Sequence, residues 1–166
     1  MAGLTFYPAE EFRRQAESIV ATVAESIAQL VGRGEIEHIG ATAIPGALTK
    51  GDVDVLVRVA RDDFPAAVDA LKRRFAIHQP ENWNADFASF RDEITFSLPL
   101  GIQLVVKGAD SDFFLYLRDR LRADARLLAE YNQLKTRHGG GKPENYWRAK
   151  NRFFERMLAE RPPNSA

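Results

Sequence analysis

Two aspartates separated by one residue are the clearest chemical feature of the sequence. Asp52 and Asp54 belong to an alternating run from Asp52 to Val59, which predicts a β-strand. Residues two apart on a strand project from the same face, so the two carboxylates would lie side by side. Adjacent carboxylates repel each other, and Mg²⁺ prefers oxygen ligands together with substrate phosphates. The pair is therefore a candidate magnesium site, while a solvated strand edge would show the same short motif.

The loop that precedes this strand is rich in small residues. Gly40 follows a predicted strand from Glu35 to Ile39, and glycine lets the backbone approach a phosphate because no Cβ intrudes. The Thr42 hydroxyl and the N–H groups around Ala41 can form an anion-binding concavity. A phosphate group could therefore be held beside the acidic pair.

This stretch resembles the signature of the DNA polymerase β-like nucleotidyltransferase superfamily: an apolar residue, a glycine, a second small residue, a loop, and an Asp-apolar-Asp strand. More narrowly, it resembles the GrpB family within that superfamily. The matching residues are His38-Ile39-Gly40-Ala41-Thr42-Ala43-Ile44-Pro45-Gly46, then Lys50 and Asp52-Val53-Asp54. Downstream, the similarity continues through Phe114 to Leu121 with Arg118-Asp119, Tyr131 with Leu134-Lys135, and Tyr146 with Lys150 and Phe153-Phe154.

The resemblance implies a transfer of a nucleoside monophosphate from a nucleoside triphosphate to an unknown hydroxyl acceptor. Asp52 and Asp54 would be the catalytic residues and would hold Mg²⁺. The residues expected to bind the nucleotide are Gly40, Ala41, Thr42, Lys50, Lys135, Tyr146 and Lys150.

A third carboxylate, which active members of the superfamily take from a neighbouring strand, is not evident. The predicted strand from Ile102 to Lys107 carries Gln103 and no acid, and Glu93 is a candidate only by its position. Three functions therefore stay open: a nucleotidyltransferase, a non-catalytic module that binds a nucleotide or phosphate ligand, and a domain whose helical C-terminal third docks a partner.

The periodicity of the sequence predicts an α+β fold with a small mixed sheet of about five strands. We expect an N-terminal helix from Pro8 to Val31, one inserted helix ending near Phe75, and a helical C-terminal third from Asp112. Ile94 to Leu98 and Ile102 to Lys107 are expected to form a hairpin, whereas Pro80 to Arg91 has no clear pattern. The chain is expected to form a single domain over residues 1–166, with residues 160–166 as a disordered tail.

Composition narrows the possible partners. Lys plus Arg and Asp plus Glu each number 23, so the formal net charge is zero, which makes nucleic acid an unlikely partner. The chain contains no cysteine, which excludes disulfides and a thiol nucleophile and fits a cytoplasmic protein. No apolar run reaches the length of about 18 residues that spans a bilayer, so no membrane partner is expected.

Overall fold

A mixed β-sheet lies at the centre of the computed structural model, which describes residues 3–163. In chain order the strands of this part of the chain are β1 (Tyr7–Pro8), β2 (Glu35–Ile39), β3 (Leu48–Thr49), β4 (Val53–Val59), β5 (Ala76–Ile77), β6 (Phe87–Asp92) and β7 (Leu100–Val106). The main sheet has five of them in the order β2-β4-β7-β6-β5, and β1 pairs separately with β3. Only β4 and β7 run parallel; the other neighbours are antiparallel. The predicted α+β fold is confirmed.

The helices cover both faces of this sheet. Over residues 3–163 they are α1 (Arg13–Val31), α2 (Phe64–Lys72), α3 (Phe114–Ala123), α4 (Ala125–His138) and α5 (Pro143–Ala159). Apolar side chains of α1 and α2 pack on one face, and the start of α3 packs on the other. Helices α3, α4 and α5 form a second apolar cluster together with Ala9, Ile44 and Ala47. None of the helices in the described range is long and apolar enough to cross a membrane.

Strand β4 follows the alternation that the sequence predicts. Val53, Val55 and Val57 are fully buried against α1 and α2. Leu56 faces the opposite side, in a small cluster with Ile39 and Val105. Because side chains alternate along a strand, Asp54 lies on the same face as Leu56, away from the main core.

The predicted hairpin is correct in its second strand and wrong in its first. The partner of β7 is β6, Phe87–Asp92, which lies in the region without a clear pattern, and not Ile94 to Leu98. The Asp92 carboxylate accepts hydrogen bonds from the backbone N–H groups of Ile94 and Thr95, which turns the chain into a loop. Ile94 is 94% exposed, so the alternation of apolar residues there does not reflect a buried strand face.

The helical segments differ from the prediction mainly at their ends. The N-terminal segment begins as a 3₁₀-helix over Ala9–Phe12 and becomes α-helical at Arg13. Asp124 separates α3 from α4, because its side chain accepts from the first backbone N–H groups of α4 and caps that helix. Helix α5 starts at Pro143, as predicted. Residues 164–166 of the predicted tail lie outside the described residues.

Candidate functional site

Asp52 and Asp54 border one cavity of about 190 Å³ at the end of β4. Asp54 is the second residue of β4, and Asp52 directly precedes the strand. One wall of the cavity comes from α3 and the other from α4 and α5, so it lies between the sheet and the C-terminal helices. The two acids thus share one concave site, as their spacing predicts.

Two glycines flank the Asp54 carboxyl. In the sheet register, Asp54 is opposite Ile39 of β2, just before Gly40, and opposite Gly101 of β7. A Cβ built on Gly40 would lie 2.5 Å from Asp54 Oδ2, and one built on Gly101 would lie 2.5 Å from Oδ1. Gly40 also has a φ of +75°, a conformation that side chains rarely adopt. Both positions therefore need glycine to leave room for this carboxyl.

The Asp54 carboxyl is poorly compensated by the protein. Burial, together with the negative charge of Asp52, raises the pKa of Asp54 to about 7, against the opposing effect of Lys150 and Lys50. Within residues 3–163, no protein group donates a hydrogen bond to the Asp54 carboxyl. A positive charge in the cavity would therefore stabilise the ionised pair.

Two lysines stand beside the acidic pair and share one aromatic ring. Lys50 Nζ lies 3.7 Å from Asp52 Oδ2 and 4.5 Å from the centre of the Trp147 ring. Lys150 Nζ lies 5.1 Å from the same ring. An ammonium over an indole face is attracted by the ring quadrupole, so Trp147 helps to hold both cations near the acidic pair.

Lys135 is a third lysine at the cavity, and it is almost completely buried. Its ammonium donates a hydrogen bond to the Leu48 carbonyl and lies 3.9 Å from the centre of the Tyr131 ring. Burial lowers the pKa of Lys135 to about 7, and the charge of Lys150 acts in the same direction. The hydroxyl groups of Tyr131 and Tyr146 interact beside it.

The structure brings most of the predicted site residues together. The cavity is bordered by Gly40, Ala41, Lys50, Asp52, Asp54, Lys135, Tyr146 and Lys150. Thr42 is the exception, because its hydroxyl pairs with His38 Nε2 at 2.9 Å and it borders a separate depression behind the turn. Burial lowers the pKa of His38 to about 4, and nearby Arg122 and Arg118 add to the effect.

Among residues 3–163, no third acid borders the cavity with the pair. Glu93 is exposed and forms an ion pair with Arg91 at 3.2 Å, away from the residues that border the cavity. Gln103 borders the cavity instead, one alternation beyond Gly101 on β7. In the part of the chain that the structure describes, no group of three or more His, Cys, Asp or Glu residues could hold a metal ion.

Comparison with known proteins settles the family. The family model described as GrpB protein matches residues 7–160. The chain belongs to the GrpB family. A UPF0157 protein of Vibrio cholerae is 32% identical over 163 residues, covering 95% of this chain and 83% of the relative. A UPF0157 protein of Pseudomonas aeruginosa is 30% identical over 156 residues, covering 90% of this chain and 62% of that relative.

Solved structures place this GrpB-family chain in a nucleotidyltransferase-like fold. The conserved protein GrpB from Enterococcus faecalis superimposes with a TM-score of 0.70 at 16% identity, covering 93% of this chain and 98% of that one. The Cid1 poly(U) polymerase with MgGTP bound gives a TM-score of 0.51 at 12% identity and covers 81% of this chain. The match includes only 43% of the Cid1 chain. These similarities concern the fold.

In this GrpB-family chain, helix α3 forms a wall of the cavity that the sequence patterns do not predict. Helix α3 contributes Phe114, Leu117, Arg118 and Leu121, which recur at the spacing of one helix face. The Arg118-Asp119 pair, which fits either an ion pair or a ligand contact in the sequence, is an ion pair at 2.8 Å, and Arg118 also borders the cavity. The helical spacing identifies this face in the sequence, but only the docking of α3 shows what it faces.

Proposed function

We propose that this domain is a Mg²⁺-dependent nucleotidyltransferase, in which Asp52 and Asp54 bind the metal complex of a nucleoside triphosphate. The observation that carries the proposal is the meeting of these two carboxylates with three lysines in one cavity. The nucleotidyltransferase-like fold supports it, as does the MgGTP-bound structure of Cid1, which has a similar fold.

The two carboxylates are suitable ligands for a Mg²⁺ ion that is also bound to the phosphates of a nucleotide. Mg²⁺ in proteins is commonly held by one or two carboxylates, with substrate phosphates and water completing its octahedron. Asp52 and Asp54 supply those carboxylates, and burial together with Asp52 raises the pKa of Asp54 although Lys150 and Lys50 oppose this effect, so a bound cation would add compensation that the lysines do not complete. When bound, the ion would neutralise charge on the phosphates and polarise the α-phosphate.

The chain's own residues would orient the triphosphate. Lys50 and Lys150, held near the Trp147 ring, would contact phosphate oxygens, while the backbone from Gly40 to Ala41 can approach them closely. The acceptor hydroxyl would lose its proton to solvent water and form a bond to the α-phosphorus. The bond from that phosphorus to the bridging oxygen would break, and pyrophosphate would leave.

A non-catalytic nucleotide-binding role is the second candidate, and one specific observation favours it. Gln103 lies on the strand from which a third carboxylate would be expected, and a carboxamide cannot accept a proton from an acceptor hydroxyl or bind a metal as strongly as a carboxylate. Binding of a nucleotide without transfer of its nucleoside monophosphate would fit this site equally well.

Calorimetry with ATP, GTP, CTP and UTP, with and without Mg²⁺, tests the proposal. We expect Mg²⁺-dependent binding that Asp54→Asn abolishes and that Asp69→Asn, an exposed acid on α2, leaves unchanged. Release of pyrophosphate in the presence of a hydroxyl acceptor separates the enzyme from the binding module. If no triphosphate binds to the folded wild-type protein, both functions are wrong.

A further inference from the structure

Arg118 is held rigidly at the cavity with part of its guanidinium unused. Its Nε donates to Asp119 Oδ1 at 2.8 Å, and its Nη1 donates to Glu37 Oε2 at 2.8 Å and to the His38 carbonyl at 3.0 Å. The side chain is only 11% exposed. A guanidinium carries five N–H donors, so the two on Nη2 have no partner among residues 3–163.

The unused nitrogen has access to open space. No buried side-chain nitrogen or oxygen in the described part of the chain lacks a hydrogen-bond partner, so Nη2 is not sealed inside the protein. The space that Arg118 borders is the cavity with the acidic pair. Because three hydrogen bonds already fix the Arg118 guanidinium, the two N–H groups of Nη2 can bind a ligand with little further loss of side-chain entropy.

Gln103 offers complementary chemistry from the β7 side of the same cavity. It borders the cavity from β7, and neither its carbonyl oxygen nor its amide nitrogen has a partner within residues 3–163. The group is an acceptor through Oε1 and a donor through Nε2. Arg118 and Gln103 therefore provide a fixed donor and an adaptable donor or acceptor.

The walls around these two groups are apolar. Phe113 and Phe114 lie with ring centroids 4.6 Å apart, and Leu117 and Leu121 continue the same wall. An apolar pocket with few polar groups is typical of sites that orient a flat organic ligand. The lysines and acids would hold the phosphates, so this part of the cavity is available for the base.

We propose that Arg118 selects triphosphates whose base presents a carbonyl beside a ring N–H, namely GTP and UTP, over ATP and CTP, and that Gln103 adds a hydrogen bond to the bound base. This inference rests on the proposed nucleotide binding. Guanine and uracil would accept from Arg118 Nη2 and donate to Gln103 Oε1. Adenine and cytosine carry an exocyclic amine at the corresponding position. Gln103 can turn its amide to suit either pattern, whereas Arg118 can only donate, so Arg118 decides the selection.

The test compares the four triphosphates on the wild-type protein and three variants by calorimetry with Mg²⁺. We expect wild type to bind GTP and UTP about tenfold more tightly than ATP and CTP, as for a hydrogen bond that involves a charged group. Inosine triphosphate, which keeps the carbonyl and the ring N–H, should bind as GTP does. Arg118→Met should bring the four affinities within about threefold of one another, whereas Gln103→Met should weaken all four and keep the preference.

Arg122→Met is the matched control. Arg122 lies one turn further along α3, is exposed, and its Nε donates to the Ala43 carbonyl outside this cavity. The variant removes the same charge from the same helix and should keep the tenfold preference. Should Arg118→Met fail to fold, Arg118→Lys keeps a cation next to Glu37 and should reduce the preference.

Distinct results separate this inference from the proposed function. If all four triphosphates bind wild type with equal affinity, selection by Arg118 is wrong while nucleotide binding stands. A preference that survives unchanged in folded Arg118→Met also overturns it, and would indicate that this part of the cavity holds the acceptor. Absence of any triphosphate binding overturns both.

Discussion

The packing of two glycines against Asp54 leads to a prediction that separates steric from conformational effects. A Cβ at position 101 would lie 2.5 Å from Asp54 Oδ1, whereas ordinary contacts begin at 3.4 Å. The carboxyl would have to move by the difference, about 0.9 Å, or β7 would have to shift by as much. Displacements of about 1 Å in a reactive site can reduce activity about 100-fold. We expect Gly101→Ala to reduce affinity for the Mg²⁺–triphosphate complex by at least about tenfold.

Gly108→Ala provides the matched control. Gly108 has a φ of +82°, and a Cβ there would meet no atom within 4 Å. This variant should cost about 1 kcal/mol of unfolding free energy from its left-handed backbone and leave binding unchanged. Gly40→Ala combines both effects, since its φ is +75° and its Cβ would lie 2.5 Å from Asp54 Oδ2. Gly40→Ala should therefore reduce both the free energy of unfolding and the affinity for the Mg²⁺–triphosphate complex.

Urea unfolding gives the stability of each variant, and calorimetry with the Mg²⁺–triphosphate complex gives its affinity. The reasoning is refuted if Gly101→Ala folds and binds the complex as tightly as wild type. It is also refuted if Gly108→Ala weakens binding as much as Gly101→Ala does.

Three further outcomes follow from the groups around the cavity. Because burial lowers the pKa of Lys135 to about 7, the folded state holds fewer protons than the unfolded state above that pH. Unfolding free energy should therefore rise from pH 7 to about 10, a slope that Lys135→Met removes in urea titrations. Trp147→Phe should keep most of the triphosphate affinity, and Trp147→Ala should lose about fivefold as Lys50 and Lys150 lose their shared ring, as measured by calorimetry. Asp52→Ala should leave the melting temperature at or above that of wild type in circular dichroism, since it removes one of two repelling carboxylates; a markedly lower value would show that the pair is structural.

The local part of the fold is readable from the sequence. The valines of β4 alternate with Asp54, so the strand and the face of its acid follow from period-two patterning. Helix α5 begins at Pro143, whose fixed φ suits the first helical turn. The error at Ile94 has a physical cause, because apolar alternation cannot distinguish a strand from a loop whose backbone is bonded by Asp92.

The three-dimensional part of the site depends on register and docking. Gly40 suggests a phosphate approach in the sequence, but its contact with Asp54 requires the pairing of β2 with β4. Gly101 gives no signal until β7 is placed parallel to β4, and the position of Arg118 at the cavity becomes visible only when α3 is docked. Contacts between residues far apart in the chain carry no local periodicity, so single-sequence patterns do not reveal them.

Paramagnetic broadening with Mn²⁺ in place of Mg²⁺ tests the central claim most directly, that Asp52 and Asp54 share a cation with a bound triphosphate. The spectrum of ¹⁵N-labelled protein would be recorded with Mn²⁺ and a non-hydrolysable GTP analogue, and compared with the Mg²⁺ complex. We predict that the amide signals of Gly40, Asp54 and Gly101 disappear first, and that this requires the nucleotide. Sharp signals at these three residues in the saturated complex would contradict the account.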